Sequence, residues 1–238
     1  MKKLSQKKIE EICKEYKDFV DMFDNMANLS LILREARKKR GAIDFDFPET
    51  KVELDTEGNP VKIYPYPINY CHGMIEQFMI CANEFIAKRF AMLNYPFVYR
   101  VHGTPNEDRV SDFINFVSSL GYKITGKLNI NYPSSIENIL YQLKDKKEYE
   151  ILSSLMLRAM QKAVYQTENI GHFGLASKIY THFTSPIRRF PDTTVHRLLR
   201  TYLFEKDQSE KVIDYYKEYL IPLSEHASLK ERDAIECE

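Results

Sequence analysis

The chain has 238 residues, and its 34 Lys+Arg balance 34 Asp+Glu, so any grip on a polyanion has to come from a local patch rather than a global field. That length is enough for one large domain or two small ones with a real buried core. No stretch approaches the roughly 20 apolar residues of a membrane span, and Cys13, Cys71, Cys81 and Cys237 lie far apart with no His at ligand spacing, which speaks against a zinc site and for scattered reduced thiols. The expectation is a soluble, cytoplasmic protein with no membrane partner.

In chain order, residues 6–40 read as two helical stretches. Ile9, Ile12, Tyr16, Phe19 and Met22 recur at spacings of three and four, then Leu29, Leu31, Leu33 and Ala36 continue the rhythm until Gly41 stops it. From Gly41 to Pro67 apolar and polar positions alternate, and the turn formers DTEGNP separate TKVEL from VKIYPY, predicting a hairpin at the edge of a sheet, with Pro65 and Pro67 suited to a strand end. Residues 70–93 predict a long, largely buried helix through Met74, Phe78, Ile80, Cys81, Phe85 and Phe90, followed by a short strand in PFVYRVH. Asn106 opens a helix that Gly121 closes, an N-cap and a C-cap in the expected order. Further helices are predicted over 135–144, 149–164, 186–204 and from Ser209 onward. With no repeat, low-complexity segment or Gly/Ser linker, the fold class is α+β, mostly helical with a small antiparallel sheet. A lone hairpin is marginal in water and wants further strands beside it, so the 238 residues read as part of a larger fold.

The most informative stretch is YTHFTSPIRRFPDTTVHRLLR, residues 180–200. Ser185 followed by Pro186 predicts a helix start, with the hydroxyl capping free N–H groups and proline at the first helical position. Such an end carries about half a positive charge and favours an anion. Arg188 and Arg189 in that first turn oppose the helix dipole, so a phosphate would compensate them. Equally, they could be solvated or paired with Asp192, one turn on from Arg188.

HFGLASKIYTHFTSPIRRFPDTTVHRLL closely resembles the signature of the ribonuclease II and ribonuclease R family, whose catalytic region is the RNB domain. LREARKKRGAIDFDFPE, MIEQFMICANEFIAKRF, PFVYRVHGTPNEDRVSDFINFVSSLGY and SLKERDAIECE match in the same order, so the resemblance covers nearly everything from about Leu31. It implies a processive 3′-to-5′ exoribonuclease, a hydrolase that releases nucleoside monophosphates from the single-stranded 3′ end of RNA with Mg2+. By position in the motif, Arg188 resembles the family arginine on the scissile phosphate, with Ser185 and Arg189 beside it as substrate-binding groups. Phe45 resembles the aromatic that clamps the terminal base, although an aromatic in an alternating strand is more often core. Glu76 resembles a carboxylate near the ribose, where RNA is told from DNA. Glu231 in KERDA matches a position near the active site with no assigned role. His182 and His196 read as satisfied polar groups.

The same resemblance marks what is not here. The family's metal-holding aspartate cluster and a second clamp aromatic lie upstream of the matched segments, and the flanking OB-fold domains have no counterpart. Asp44 and Asp46 are a close acidic pair beside Phe45 rather than that cluster. Residues 1–238 therefore read as the C-terminal part of an RNB domain with no metal ligands of its own, expected to be inactive alone and to work with a separate chain or segment that carries the N-terminal half. A non-catalytic RNA-binding module or an inactive remnant is the alternative.

Overall fold

The computed structural model describes residues 5–43, 50–66, 69–126 and 128–237. Ser5 accepts a hydrogen bond from the Lys8 N–H and opens α1 (Gln6–Glu15), which buries nothing. A 3-10 turn (Lys17–Phe19) leads into α2 (Val20–Arg40), where only Ser30 is buried. Gly41 ends α2 at φ 85°, where a side chain would be strained, and a Cβ there would lie 2.6 Å from the Ser134 Cβ. Ion pairing ties α2 to the next helix, since Arg40 reaches both Glu84 carboxylate oxygens at 3.2 and 3.0 Å.

β1 (Thr50–Leu54) and β2 (Pro60–Pro65) form the expected hairpin, with Val52 opposite Ile63 and a register shift after Glu53. Its turn is organised by Asp55, whose Oδ1 accepts from the Glu57 and Asn59 N–H groups at 2.9 and 2.8 Å. These hydrogen bonds hold the Asp55 carboxyl below its ordinary value, the Asn59 backbone contributing most. Every residue of β1, and every residue of β2 except the half-buried Tyr64, is exposed, Val52, Leu54, Val61 and Ile63 included, so both faces of this ribbon are open among the described residues.

α3 (Tyr70–Leu93) is framed by a reciprocal capping box between Asn69 and His72 and by a left-handed Asn94. It is less buried than its composition predicts. Ile80, Ala87 and Phe90 face inward with Gln77 and Asn83, whereas Cys81 and Phe85 are exposed. The buried stripe thus follows the polar Gln77 and Asn83, which a reading by apolar residues passes over.

β3 (Tyr99–Val101) pairs antiparallel with β4 (Val164–Gln166), a strand the sequence reading assigned to the end of a helix. Between them come α4 (Glu107–Ser119), α5 (Pro133–Leu143) and α6 (Tyr149–Ala159). Their apolar faces make one core through Val110, Phe113, Val117, Ile139, Leu152 and Met156. The Asn106 side chain caps α4 as expected, accepting from the Arg109 N–H at 3.0 Å.

α7 (Phe190–Leu199) corrects the predicted start at Pro186. The chain makes a separate turn over residues 185–189 and only then becomes helical, with Pro191 in the first helical turn. The helix continues as a single π turn (Arg200–Phe204) and α8 (Glu210–Cys237) completes the fold. α3, β3, β4, α7 and α8 enclose a second core of Phe90, Phe97, Val195, Leu198, Tyr202 and Leu220. Within it Phe90 stacks on Phe97 at 4.3 Å between centroids and Tyr95 on Tyr202 at 4.8 Å. Among the described residues no helix is long and apolar enough to cross a membrane.

Candidate active site

The irregular segment between β4 and α7 lies over the β3–β4 ribbon and is held there by buried polar contacts. The Arg100 N–H donates to the Tyr180 carbonyl at 2.9 Å, and the Thr181 hydroxyl to the Val98 carbonyl at 2.7 Å. Asn83 of α3 bridges the segment, its amide nitrogen donating to the Tyr180 hydroxyl and its oxygen accepting from the Phe183 N–H at 2.9 and 3.0 Å. This is the function of the buried polar position on α3.

A cleft of about 310 Å3 opens beside this segment, lined by Glu76, Asn83, His182, Ser185, Arg188 and Arg189 among others. Four of the six residues singled out in the sequence therefore meet at one cleft, although they come from α3 and from a turn a hundred residues later. The Arg188 guanidinium is exposed and has no hydrogen bond or ion pair among the described residues. Arg189 differs from it. Its Nη2 donates to Asp192 Oδ1 at 2.8 Å, and its side chain is only 20% exposed. Of the two alternatives for an arginine–Asp192 pair, the structure forms it with Arg189 instead of Arg188. Glu76 stands 3.6 Å from Arg37 and is half exposed toward the cleft.

Ser185 does not cap a helix. Its carbonyl accepts the Arg188 and Arg189 N–H groups at 3.3 and 3.1 Å, and its own N–H donates to Asp192 Oδ1 at 2.8 Å.

Glu231 lies on the other side of the arginines, in an apolar cavity of about 910 Å3 between α7 and α8 that Arg188, Arg189 and Tyr165 also line. Its carboxylate holds Arg100 at 2.6 Å, while the Arg100 guanidinium sits 4.5 Å from the Tyr165 ring centroid. α8 is locked to β4 nearby, since the Tyr165 N–H donates to the buried Ser228 hydroxyl at 2.8 Å. Arg100, Tyr165 and Ser228 were not singled out in the sequence, and their only local signal is an Arg in a short apolar strand. Because Arg100 is only 12% exposed, removing its partner strands a cation. Glu231→Gln is expected to lower folding stability by about 1–3 kcal/mol, checked by urea unfolding at pH 7.5.

The cleft is a cationic environment. Burial first, then the charges of Arg189 and Arg100, lower the His182 pKa to about 2, and the ring shares a 2.8 Å hydrogen bond with the Tyr165 hydroxyl. Burial, then His102 and Arg100, take His172 to about 3. Burial pushes the Tyr165 phenol up to about 12. Both histidines are neutral in the folded protein at pH 7, in line with the reading of His182 as a satisfied polar group.

Phe45, with Asp44 and Asp46, lies outside the described residues. Among the described residues no group of three or more His, Cys, Asp or Glu is placed to hold a metal ion, so they do not supply a site for the Mg2+ that the resemblance implies.

The chain is 42% identical over 231 residues to ribonuclease R of Thermotoga maritima, covering 94% of this chain and 32% of that protein. It is 33% identical to ribonuclease R of Escherichia coli, covering 96% of this chain and 29% of that one. Among solved structures, Mycoplasma genitalium RNase R in complex with ribose methylated single-stranded RNA superimposes with TM-score 0.86 at 33% identity, over 92% of this chain and 34% of that chain. The same enzyme in complex with double-stranded RNA gives 0.88 at 31%, over 98% and 43%. The chain thus spans about a third of the length of the curated relatives it matches. Residues 1–205 match the family model of the RNB domain, and with the fold shared as well, the chain belongs to the RNB domain family.

Proposed function

We propose that this chain supplies the substrate-holding side of a 3′-to-5′ exoribonuclease active site, hydrolysing RNA from its 3′ end to nucleoside monophosphates when metal-holding carboxylates come from polypeptide beyond these 238 residues. The observation that carries this reading is the meeting of Glu76, Ser185 and Arg188 at one cationic cleft, with the Arg188 guanidinium free of any partner among the described residues. A planar guanidinium with open donors suits the two-point grip of a phosphodiester. Glu76, a carboxylate with acceptor capacity at the same cleft, suits a ribose 2′-hydroxyl, the group that distinguishes RNA from DNA. Phe45 is assigned to stacking on the terminal base, a contact tolerant of sequence.

A metal held by those carboxylates would activate water and stabilise the leaving oxygen, and no metal ligand is assigned to this chain's described residues. Their work is to bind and orient the strand.

The test is reconstitution. The 238-residue chain is expected to bind a single-stranded oligoribonucleotide without magnesium and to release no nucleoside monophosphate. Combined or fused with the aspartate-containing N-terminal portion of a ribonuclease R, it is expected to release monophosphates from the 3′ end in a magnesium-dependent reaction. RNA binding with no hydrolysis in the fused protein would favour a non-catalytic RNA-binding module, and absence of both would reject the reading.

A further inference from the structure

Asp192 is the one fully buried carboxylate among the described residues, with 0% exposure, and it faces the turn that precedes its own helix and brings Ser185, Arg188 and Arg189 to the cleft. Its Oδ1 receives two donors from that turn, the Ser185 N–H and the Arg189 guanidinium, each at 2.8 Å. The next residue adds a third tie, because the Thr193 hydroxyl donates to the Pro186 carbonyl at 2.8 Å. The first turn of α7 thus grips residues 185, 186 and 189, and leaves unheld only Ile187 and the Arg188 side chain, both exposed.

Burying a carboxylate is costly unless it is paired, and here one oxygen, Oδ1, is met by a backbone and a guanidinium donor, while Oδ2 and the Arg189 Nε are buried without a hydrogen-bond partner among the described residues. Turn and helix start therefore form one rigid body around Asp192. The pairing also divides the labour of the two adjacent arginines. Arg189 is neutralised by Asp192 and held inward, so its charge is largely unavailable to a ligand, and Arg188 is left as the open cation.

We infer that Asp192 is a positioning residue, which fixes the direction of the Arg188 guanidinium by clamping the 185–189 turn, and that Arg189 is a strut of this clamp and not a phosphate ligand. The inference deepens the phosphate-binding reading of Arg188 and rests on it for its functional consequence, but the clamp itself is tested without RNA.

Two measurements on the 238-residue chain separate these claims. In the first, amide hydrogen exchange is compared between the chain and Asp192→Asn, which keeps the side-chain shape and one acceptor but loses the charge. Exchange at Ser185, Arg188 and Arg189 is expected to accelerate at least tenfold while amides of α8 stay within twofold. Thr193→Val, which removes the hydroxyl's tie to Pro186 and its longer 3.4 Å contact with the Arg189 carbonyl, is expected to move the same amides by a smaller factor and guards against Asp192→Asn failing to fold. If the turn exchanges no faster than α8 in both variants, the clamp is overturned. In the second, a double-mutant cycle reads the affinity for a single-stranded oligoribonucleotide. Arg188→Ala is expected to weaken binding about tenfold in the chain and less than twofold in the Asp192→Asn background, because a mobile arginine has already lost its oriented grip. A loss in the mutant background as large as in the chain itself overturns positioning. If Arg188→Ala has no effect in the unaltered chain, the phosphate reading of Arg188 fails, and with it the positioning role, while exchange still reports on the clamp.

Discussion

Arg188→Lys in the reconstituted enzyme is expected to slow single-turnover hydrolysis by roughly 10²–10³-fold, the size of effect seen when one oxyanion-type donor is lost. The charge is kept, so affinity should change little. What lysine cannot reproduce is the planar pair of donors, aimed before the reaction begins at oxygens on which charge develops. Because Arg188 is exposed and has no partner among the described residues, its replacement should leave the fold alone. Arg189→Lys is a different experiment from the one the sequence suggests. Arg189 is already engaged by Asp192, so its replacement should act through the order of the turn, and it should speed amide exchange there, whereas Arg188→Lys should not. Small and equal effects of the two changes on turnover would remove Arg188 from catalysis. Lost affinity with unchanged turnover would make it a strand-positioning contact.

Acid is expected to unfold this chain unusually early. His172 and His182, with native pKa values of about 3 and 2, lie far below the ordinary 6.5. Above pH 6.5 neither the folded nor the unfolded chain protonates them, and they have no influence on the balance. Below pH 6.5 the unfolded chain takes up protons that the folded one refuses, so stability falls as pH falls, and continues to fall until the native values are reached. At about 1.4 kcal/mol per pH unit for each histidine, the pair should remove about 3–4 kcal/mol between pH 7.5 and pH 5. Burial is the main reason the proton is refused, joined by the charges of Arg189 and Arg100 at His182 and of His102 and Arg100 at His172. Urea unfolding at several pH values reads this directly. His182→Gln, which keeps a polar side chain opposite the Tyr165 hydroxyl, should remove about half the slope. A stability that is flat from pH 7.5 to pH 5 would show that these rings are hydrated enough to titrate normally.

Both helices with strong local signals were legible in the sequence. α3 spans Tyr70–Leu93 as the spacing predicts, and α4 starts after its Asn106 cap, because these ends are decided by side chains within four residues of the backbone they satisfy. The start of α7 was not legible for a related reason. Two prolines, Pro186 and Pro191, each offer an acceptable first turn, and the choice falls to Asp192, whose carboxylate takes the Ser185 N–H and holds a separate turn ahead of the helix. β4 escaped because a three-residue strand has no period of its own; its place is set by pairing with β3 across some sixty intervening residues and by Ser228 of α8. The cleft was legible in part. Glu76, Ser185, Arg188 and Arg189 carry a recognisable motif, whereas Arg100, Tyr165 and Asn83 derive their places from contacts that span most of the chain.

The bond between Arg100 and Glu231 has a consequence for how the chain is made. The two residues are 131 positions apart, a separation that a ribosome covers in roughly 7–26 s at ~5–20 residues per second. During that interval Arg100 has neither its carboxylate nor the α8 face that closes over Tyr165, and the segment bearing Arg188 has only part of its support. A nascent chain is surrounded by RNA, the polymer this cleft is proposed to grip. Placing the closing contact 131 positions downstream keeps the arginines from being assembled into a rigid site until α8 has been made.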